Sequence, residues 1–399
     1  MIIGFICCVE STRQRTIQVL RIICYPAPMG RLHIGKFIVP EVSIIVPTYR
    51  EAENLGVLIP RVNGALSGAG ILAEIIIVDD NSPDGTPEVC RVLAETYPLK
   101  LLVRTTERGL SSAVLAGMKL AQGELLLVMD ADLSHPPERI PEIVAAMRNP
   151  QTDFVIGSRY VAGGSTAEDW GLWRWFNSKG ATLLAWPLTS TKDPMAGFFS
   201  LRRADYLKAV DRLDPIGYKI GLELLVKCGC RRVAEVPITF QDRLHGESKL
   251  TLKEQLNYLR HLRRLYNFRF GIWAYLAQFI LVGASGMIVD LSTFALLLQL
   301  TSLSAARGVA IWTAMTWNFW LNRTVTFSFA KNEPWWRQYV AFCGSCAVGA
   351  VVNWGASLWL TQSVPFFAAH KLTAAAVGVV AGTAFNFCLC RIVVFQKRT

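Results

Sequence analysis

Charge is what the last third of this 399-residue chain lacks. Between Arg269 and Arg307 the one ionisable carboxylate or base is Asp290, and between Lys371 and Arg391 there is none. With 52% hydrophobic and 18% charged residues overall, so uneven a distribution excludes a chain built only of soluble domains, because runs of about 20 apolar residues match the thickness of a bilayer. Four spans are expected, at 273–297, 305–327, 338–362 and 372–392. Other absences narrow the field further. No GxxxxGK[ST] loop and no GxGxxG after a strand occurs, which excludes the two commonest phosphate-cradling loops. The opening "MIIGFICCVE" has too few apolar residues for a span and lacks the basic start of a signal peptide. Residues 1–38 are expected to form a poorly ordered extension, with Met29 a candidate start. The ten cysteines show no framework. Cys343 with Cys346, and Cys388 with Cys390, sit inside expected spans with no second pair for a zinc site, so small apolar packing in a reducing compartment is the reading.

Positive charge is present and localised. The formal net charge is +11, and residues 243–270 carry seven Lys or Arg against two Glu, just before the first span. Arg323, Lys331 and Arg337 fall between spans two and three, and Lys397 and Arg398 follow span four, whereas the opposite loops hold only Arg307 and Lys371. The positive-inside tendency places both ends of the membrane region, and everything before it, in the cytoplasm. Basicity of this kind points to a membrane surface, and no nucleic-acid partner is expected.

Ahead of the spans, apolar β-branched runs recur: "VSIIVP" (42–47), "EIIIVDD" (74–80), "LKLLVR" (99–104), "ELLLVMD" (124–130) and "DFVIGS" (153–158). Alternating with amphipathic stretches, they predict a parallel sheet covered by helices on both faces. Sites in such folds lie beyond the carboxyl ends of the strands. Polar residues gather there: Pro47, Tyr49 and Glu51 after the first run, Asp79 and Asp80 after the second, Asp130 and Asp132 after the fourth, Arg159 after the fifth. With period two, Asp130 and Asp132 share a face as the backbone leaves the sheet, and two like charges there call for a cation. A divalent ion between them can neutralise a nucleotide diphosphate, and Asp80 suits a ribose or base. An isolated Asp-x-Asp is equally read as a solvated strand end.

The stretches "VPTYREAENL", "VDDNSPDGT", "RGLSSAVLAGMKLAQGELLLVMDADLSHPPE", "GSRYVAGG", "GYKIGLELLVK" and "VPITFQDRLHGESKL" together resemble the polyprenol-phosphate (dolichol-phosphate) mannose synthases of glycosyltransferase family 2, over about residues 40–260. The resemblance implies an α/β GT-A domain, Rossmann-like with a mostly parallel sheet. It implies that Pro47, Tyr49, Glu51, Val78, Asp80, Asp130, Ala131 and Asp132 hold the nucleotide, with Ala131 packing on the sugar nucleotide. Asp130 and Asp132 would bind Mg²⁺ or Mn²⁺. Ser134 stands where many relatives carry a Gln metal ligand, which leaves its part in the metal site open. Arg159, Arg243 and Lys249 would meet phosphate and sugar groups and, with Asp132, form the catalytic set. Arg174 resembles a second acceptor-phosphate arginine, ranked below Arg159 because its loop varies.

In "TLKEQLNYLRHLRRLYNFRF", Leu252, Leu256, Leu259 and Leu262 fall at helical spacing with arginines elsewhere around the helix. That reads as an interfacial helix on anionic headgroups, the alternative being a helix packed on the first domain. Beyond it, "NFWLNRTVTF" (318–327) and "NFCLCRIVVF" (386–395) share the pattern N-F-x-L-x-R-x-V-x-F, so the membrane region reads as a duplicated two-helix hairpin. It resembles the GtrA-like four-span domain over about 272–396. Asn318 and Asn386 are expected to bond between helices and Asp290 to face the bundle interior.

The expected organisation is therefore an extension at 1–38, a catalytic domain at 39–242, a basic loop and interfacial helix at 243–271, and a four-helix transmembrane domain at 272–399. The expected activity is inverting mannosyl transfer from GDP-mannose to a polyprenyl phosphate at the cytoplasmic face of the lipid bilayer of the cell membrane. Glucosyl transfer from UDP-glucose is the alternative. A reading from another class is a flippase for lipid-linked sugars whose soluble domain only binds nucleotide.

Overall fold

The computed structural model describes residues 22–23, 39–166, 172–241 and 252–396. The chain divides into two compact units, 1–269 and 270–399. The extension expected at 1–38 lies outside the described residues, apart from Ile22–Ile23.

In the first unit the five expected runs are strands: β1 (Val42–Thr48), β2 (Ala73–Asp79), β3 (Leu99–Val103), β4 (Leu125–Val128) and β5 (Phe154–Ser158). Two more, β6 (Phe199–Arg202) and β7 (Val233–Pro237), complete the sheet, whose order is β3-β2-β1-β4-β6-β5-β7 with Ile22–Ile23 antiparallel on the outer edge of β3. All neighbours among these seven are parallel except β6, which runs against both β4 and β5. The alternation of each strand feeds two cores. Ile44 and Val46, Ile75 and Ile77, and Leu125 and Leu127 join one cluster with α1 (Ala52–Gly68), α2 (Thr86–Ala94) and α4 (Ile140–Arg148). Ile45, Ile76, Val78, Leu126 and Val128 point the other way, into a cluster with α3 (Leu110–Leu120), α5 (Leu172–Ala185), α6 (Arg203–Ala209) and α7 (Ile220–Lys227). Continuous apolar strands are what a sheet buried on both faces requires.

The helix read as interfacial, α8 (Leu252–Phe270), docks one face on this unit. Leu262 and Leu265 are buried in the second cluster, Tyr258 and Tyr266 donate hydroxyls to the Ala181 and Leu184 carbonyls, and Arg264 pairs with Asp214. Leu256, Leu259 and Phe268 remain exposed.

The second unit holds α9 (Ile272–Leu297), α10 (Leu303–Leu321), α11 (Trp335–Ser363), the short α12 (Pro365–Ala369) and α13 (Lys371–Leu389). Three helices, Ile272–Leu297, Trp335–Ser363 and Lys371–Val394, are long and apolar enough to cross a membrane. The helix expected to be the second span falls outside that group, because three tryptophans, Arg307 and Asn318 dilute its apolar content. The duplication is visible in the backbone: each copy of the motif ends in a π-helical turn, Asn322–Thr326 and Cys390–Val394. Phe327 and Phe395, the last residues of the two copies, are fully buried and stack on each other with ring centres 4.9 Å apart. Asn386 accepts a hydrogen bond from Ser345 at 2.8 Å, joining α13 to α11 as expected, whereas the side-chain oxygen of Asn318 finds no partner among the described residues. Asp290 is largely covered and pairs with Arg307 of α10 at 2.7 Å.

Candidate active site

Three adjacent parallel strands deliver the predicted polar residues to one edge. Pro47 lies opposite Val78 and Thr48 opposite Asp79 in the β1–β2 register, while β4 pairs with β1 on the other side. At each exit the backbone takes the left-handed conformation on a residue other than glycine: Arg50 after β1 (φ 63°), Asn81 after β2 (φ 56°) and Leu133 after β4 (φ 62°). Such positions cost about 1–3 kcal/mol each and cluster at ligand sites. Side chains of the loops hold them: Arg50 N–H donates to Ser82 Oγ, Glu51 N–H to Thr86 Oγ1, and Ser82 donates its N–H and hydroxyl to Asp79.

The two aspartates after β2 have different tasks. Asp79 is fully buried and ties Thr48 to Ser82. Asp80 bonds the Arg104 guanidinium through Oδ1 and accepts the Gly109 N–H at 2.7 Å through Oδ2. Arg104 also reaches the Gly109 carbonyl, so this pair fixes the 104–109 loop. From that loop Arg108 lies 5.2 Å from the Tyr49 ring, with Arg50 at 5.3 Å. A carboxylate oxygen can accept two hydrogen bonds, so Asp80 retains capacity for a ribose hydroxyl.

Beyond β4, Asp130 is 30% exposed and Asp132 is buried. Ser134 is fully buried and donates both its hydroxyl, at 2.6 Å, and its N–H to Asp132 Oδ1. Both bonds hold the Asp132 carboxylate in place. His135 was not anticipated from the sequence: its Nδ1 accepts the Asp130 N–H at 3.1 Å while its ring stacks on Phe198. Gly197 comes so close to Asp130 that a Cβ there would sit 3.1 Å from Oδ2. Ala131 is buried between the two carboxylates in sequence.

Among the described residues no group of three or more His, Cys, Asp or Glu side chains is placed to hold a metal ion. Two neighbouring carboxylates nevertheless suit Mg²⁺ or Mn²⁺, which are commonly held by one or two carboxylates with substrate phosphates and waters supplying the remaining ligands.

Arg159 follows the last residue of β5 and forms a bidentate pair with the fully buried Asp193, Nε to Oδ2 and Nη2 to Oδ1 at 2.7 Å each. Its guanidinium lies 5.3 Å from both the Tyr160 and Phe240 rings. Burial works against the cation, and bonding to Asp193 more than offsets it, so the pKa of Arg159 is raised. Asp193, in "KDPMAG", is a second residue that the sequence reading passed over. Arg174 lies in the first turn of α5. Arg243 and Lys249 lie outside the described residues.

A doubly covered, mostly parallel sheet with an acidic pair at the exit of its fourth strand and a largely covered arginine just past its fifth defines a GT-A glycosyltransferase. Residues 43–209 match the glycosyl transferase family 2 model, and residues 278–396 match the GtrA/DPMS transmembrane domain. A dolichol-phosphate mannosyltransferase of Pyrococcus furiosus is 40% identical over 348 residues, which is 85% of this chain and 95% of that protein. Another, from Mycosarcoma maydis, is 47% identical over 239 residues, 58% of this chain and 81% of that protein. The crystal structure of glucosyl-3-phosphoglycerate synthase from Mycobacterium tuberculosis, in complex with Mn²⁺, UDP and glucosyl-3-phosphoglycerate, aligns at 17% identity with a TM-score of 0.41, covering 58% of this chain and 80% of that one. The chain belongs to the dolichol-phosphate mannosyltransferase family, a membrane enzyme with a family 2 glycosyltransferase domain and a GtrA/DPMS transmembrane domain. The curated relatives favour neither the UDP-glucose nor the flippase alternative.

Proposed function

We propose that this enzyme transfers mannose from GDP-mannose to a polyprenyl phosphate, dolichyl or undecaprenyl, at the cytoplasmic face of the membrane, giving a β-linked product. The observation that carries the reading is 40% identity along 95% of the Pyrococcus dolichol-phosphate mannosyltransferase, a match too long to lie within one unit. The basic residues flanking the spans support the cytoplasmic orientation.

In this mechanism Pro47, Tyr49, Glu51, Val78, Asp80 and Ala131 seat the nucleotide along the edge formed by β1, β2 and β4. Asp130 and Asp132 would hold Mg²⁺ or Mn²⁺, which supplies positive charge for the departing diphosphate. Ser134 keeps Asp132 oriented, and His135 fixes the backbone from which Asp130 projects. The acceptor phosphate is already an anion, so the site needs no strong general base. Asp193 suits that economy, since its oxygens are committed to Arg159. Arg159, held by Asp193, orients the acceptor phosphate opposite the leaving group, with Arg174, Arg243 and Lys249 completing the phosphate contacts. Attack from that side inverts the anomeric carbon, with catalysis arising from positioning and charge. The exposed leucines of α8, with its arginines, would rest on anionic headgroups and bring the crevice to the surface where the acceptor phosphate lies.

The purified full chain in detergent, given a polyprenyl phosphate and either labelled GDP-mannose or labelled UDP-glucose, tests the proposal. Metal-dependent labelling of the lipid from GDP-mannose is expected. Labelling from UDP-glucose alone would reassign the donor, and no labelled lipid from either would end the transferase assignment.

A further inference from the structure

Lys219 belongs to none of the roles above. It is the residue that enters α7, and its ammonium points back to the Met195 carbonyl at 3.4 Å. That carbonyl belongs to the short loop 193–197 whose first residue, Asp193, clamps Arg159 and whose last, Gly197, abuts Asp130. Lys219 is accordingly close enough to feel the charges of Arg159, Asp193 and Asp130. Burial pushes its ammonium below the ordinary lysine pKa, and neighbouring Arg159 pushes the same way. Among the described residues no carboxylate pairs with it. By contrast, Lys227 at the other end of the same helix has Glu223 at 2.6 Å.

A half-buried cation near Arg159, drawn to Asp193 and Asp130 but in an ion pair with neither, gains when a further anion arrives. The position is also rigid. Gly221 packs so tightly that a Cβ there would stand 3.0 Å from the Phe199 ring. The preceding loop is pinned on both sides: Ser111 donates to the Gly217 carbonyl, and His261 of α8 bonds Ile216 through Nδ1 and meets Glu223 at 3.0 Å through Nε2. A flexible lysine is thus held at one spot by the catalytic domain and the helix that precedes the spans.

We propose that Lys219 contacts a substrate phosphate directly, as a cation of the reaction site alongside Arg159. This rests on the transferase reading for its substrates, and the phosphate is either the donor diphosphate or the acceptor monophosphate. The test uses the full chain in detergent with Lys219→Met, Lys219→Gln and Lys219→Arg, each checked by thermal melting. Kinetics are measured with donor and acceptor varied in turn, and GDP binding in Mn²⁺ by calorimetry. The neutral variants should lose about tenfold or more in kcat/KM for one substrate, with Lys219→Arg restoring most of it, since a charge-assisted bond is what is lost. Weakened GDP binding with an unchanged acceptor KM assigns Lys219 to the diphosphate. A raised acceptor KM with unchanged GDP binding assigns it to the acceptor. Neutral variants that match the wild type within about twofold in both measurements, below the effect of one charged hydrogen bond, overturn the proposal. Should the wild type transfer no mannose, binding of inorganic pyrophosphate and phosphate still decides: weaker binding by the neutral variants supports the contact, and equal binding removes it.

Discussion

Arg159 in the first unit, its side chain 10% exposed, and the buried Arg323 in the second are satisfied in different ways. Arg159 meets a carboxylate, fully buried Asp193, and lies beside two aromatic rings. Arg323 bonds neutral oxygens: Gln338 Oε1 at 2.8 Å and the Lys331 and Glu333 carbonyls at 2.6 and 2.9 Å. The difference separates a site from a joint. A guanidinium paired with a carboxylate is held in orientation at the strand exit, where an anion can approach it. A guanidinium spread over three carbonyl-type acceptors closes a loop and ties its helix to the next. At the crevice the charged groups of the first unit gather at strand exits, whereas the polar groups of the second, the Asp290–Arg307 pair included, join neighbouring helices.

The largest effect should come from breaking the first kind of arrangement. Asp132→Asn is expected to lower transfer by about 100-fold or more while the melting temperature stays near wild type, because charge opposite the diphosphate is lost without loss of packing. Near-normal turnover in Mn²⁺ would show that Asp132 is not a ligand. Next, Glu223→Gln should cost about 3 kcal/mol of stability in the catalytic unit, since it strips a buried carboxylate from His261 and Lys227. Although burial raises the Glu223 pKa, bonding to His261 and Lys227 wins and holds it below its ordinary 4.5. A depressed carboxylate stabilises the fold above its unfolded pKa, and that contribution is lost as pH falls. Denaturant midpoints of wild type should therefore drop as pH is lowered below about 4.5, and those of Glu223→Gln should drop less. Parallel curves would mean that the cluster is not the source.

In the second unit, the sharper test is a pair. A Cβ at Gly382 would lie 2.6 Å from the Gly349 carbonyl of the facing helix, while one at Gly283 meets nothing within 4 Å. Gly382→Ala should destabilise by about 1–3 kcal/mol through overpacking, and Gly283→Ala should not. Equal melting of the two variants would deny that α11 and α13 rely on close backbone approach. The smallest effect is expected at Arg148→Ala, whose exposed pairing with Glu41 is screened by water, so melting temperature and activity should both stay near wild type. A large activity loss there would dissolve the contrast between site and surface.

The five parallel strands were readable because each is a continuous apolar run ending in a polar cluster, and the repeated Asn-Phe motif exposed the duplicated hairpin. Less legible was β6, whose "FSLR" alternates over only four residues, too short a run to stand out, and whose antiparallel course depends on β4 and β5. Asp193 and His135 were missed for a related reason. Each acts by holding another residue, and the partner lies across the fold or in a turn with φ values that Arg50 and Leu133 do not advertise. The spacing of Leu252, Leu256, Leu259 and Leu262 fits an interfacial helix or one packed on the first domain, because spacing identifies an apolar face without saying what covers it. Here the catalytic unit covers Leu262 and leaves Leu256 and Leu259 bare.

The stacked pair Phe327 and Phe395 has a consequence for biosynthesis. The ring that completes the core around Phe319 and Phe327 belongs to the second copy of the motif, and Phe279 of the first hairpin likewise packs against Phe387 of the second. During translation the first hairpin therefore reaches the membrane before the aromatic side chains that seal it have been made. It must wait, with Phe279, Phe319 and Phe327 open to lipid or to the insertion machinery, until the second hairpin arrives. A ribosome stalled between the two copies would leave a segment inserted but unclosed, a ready target for membrane quality control.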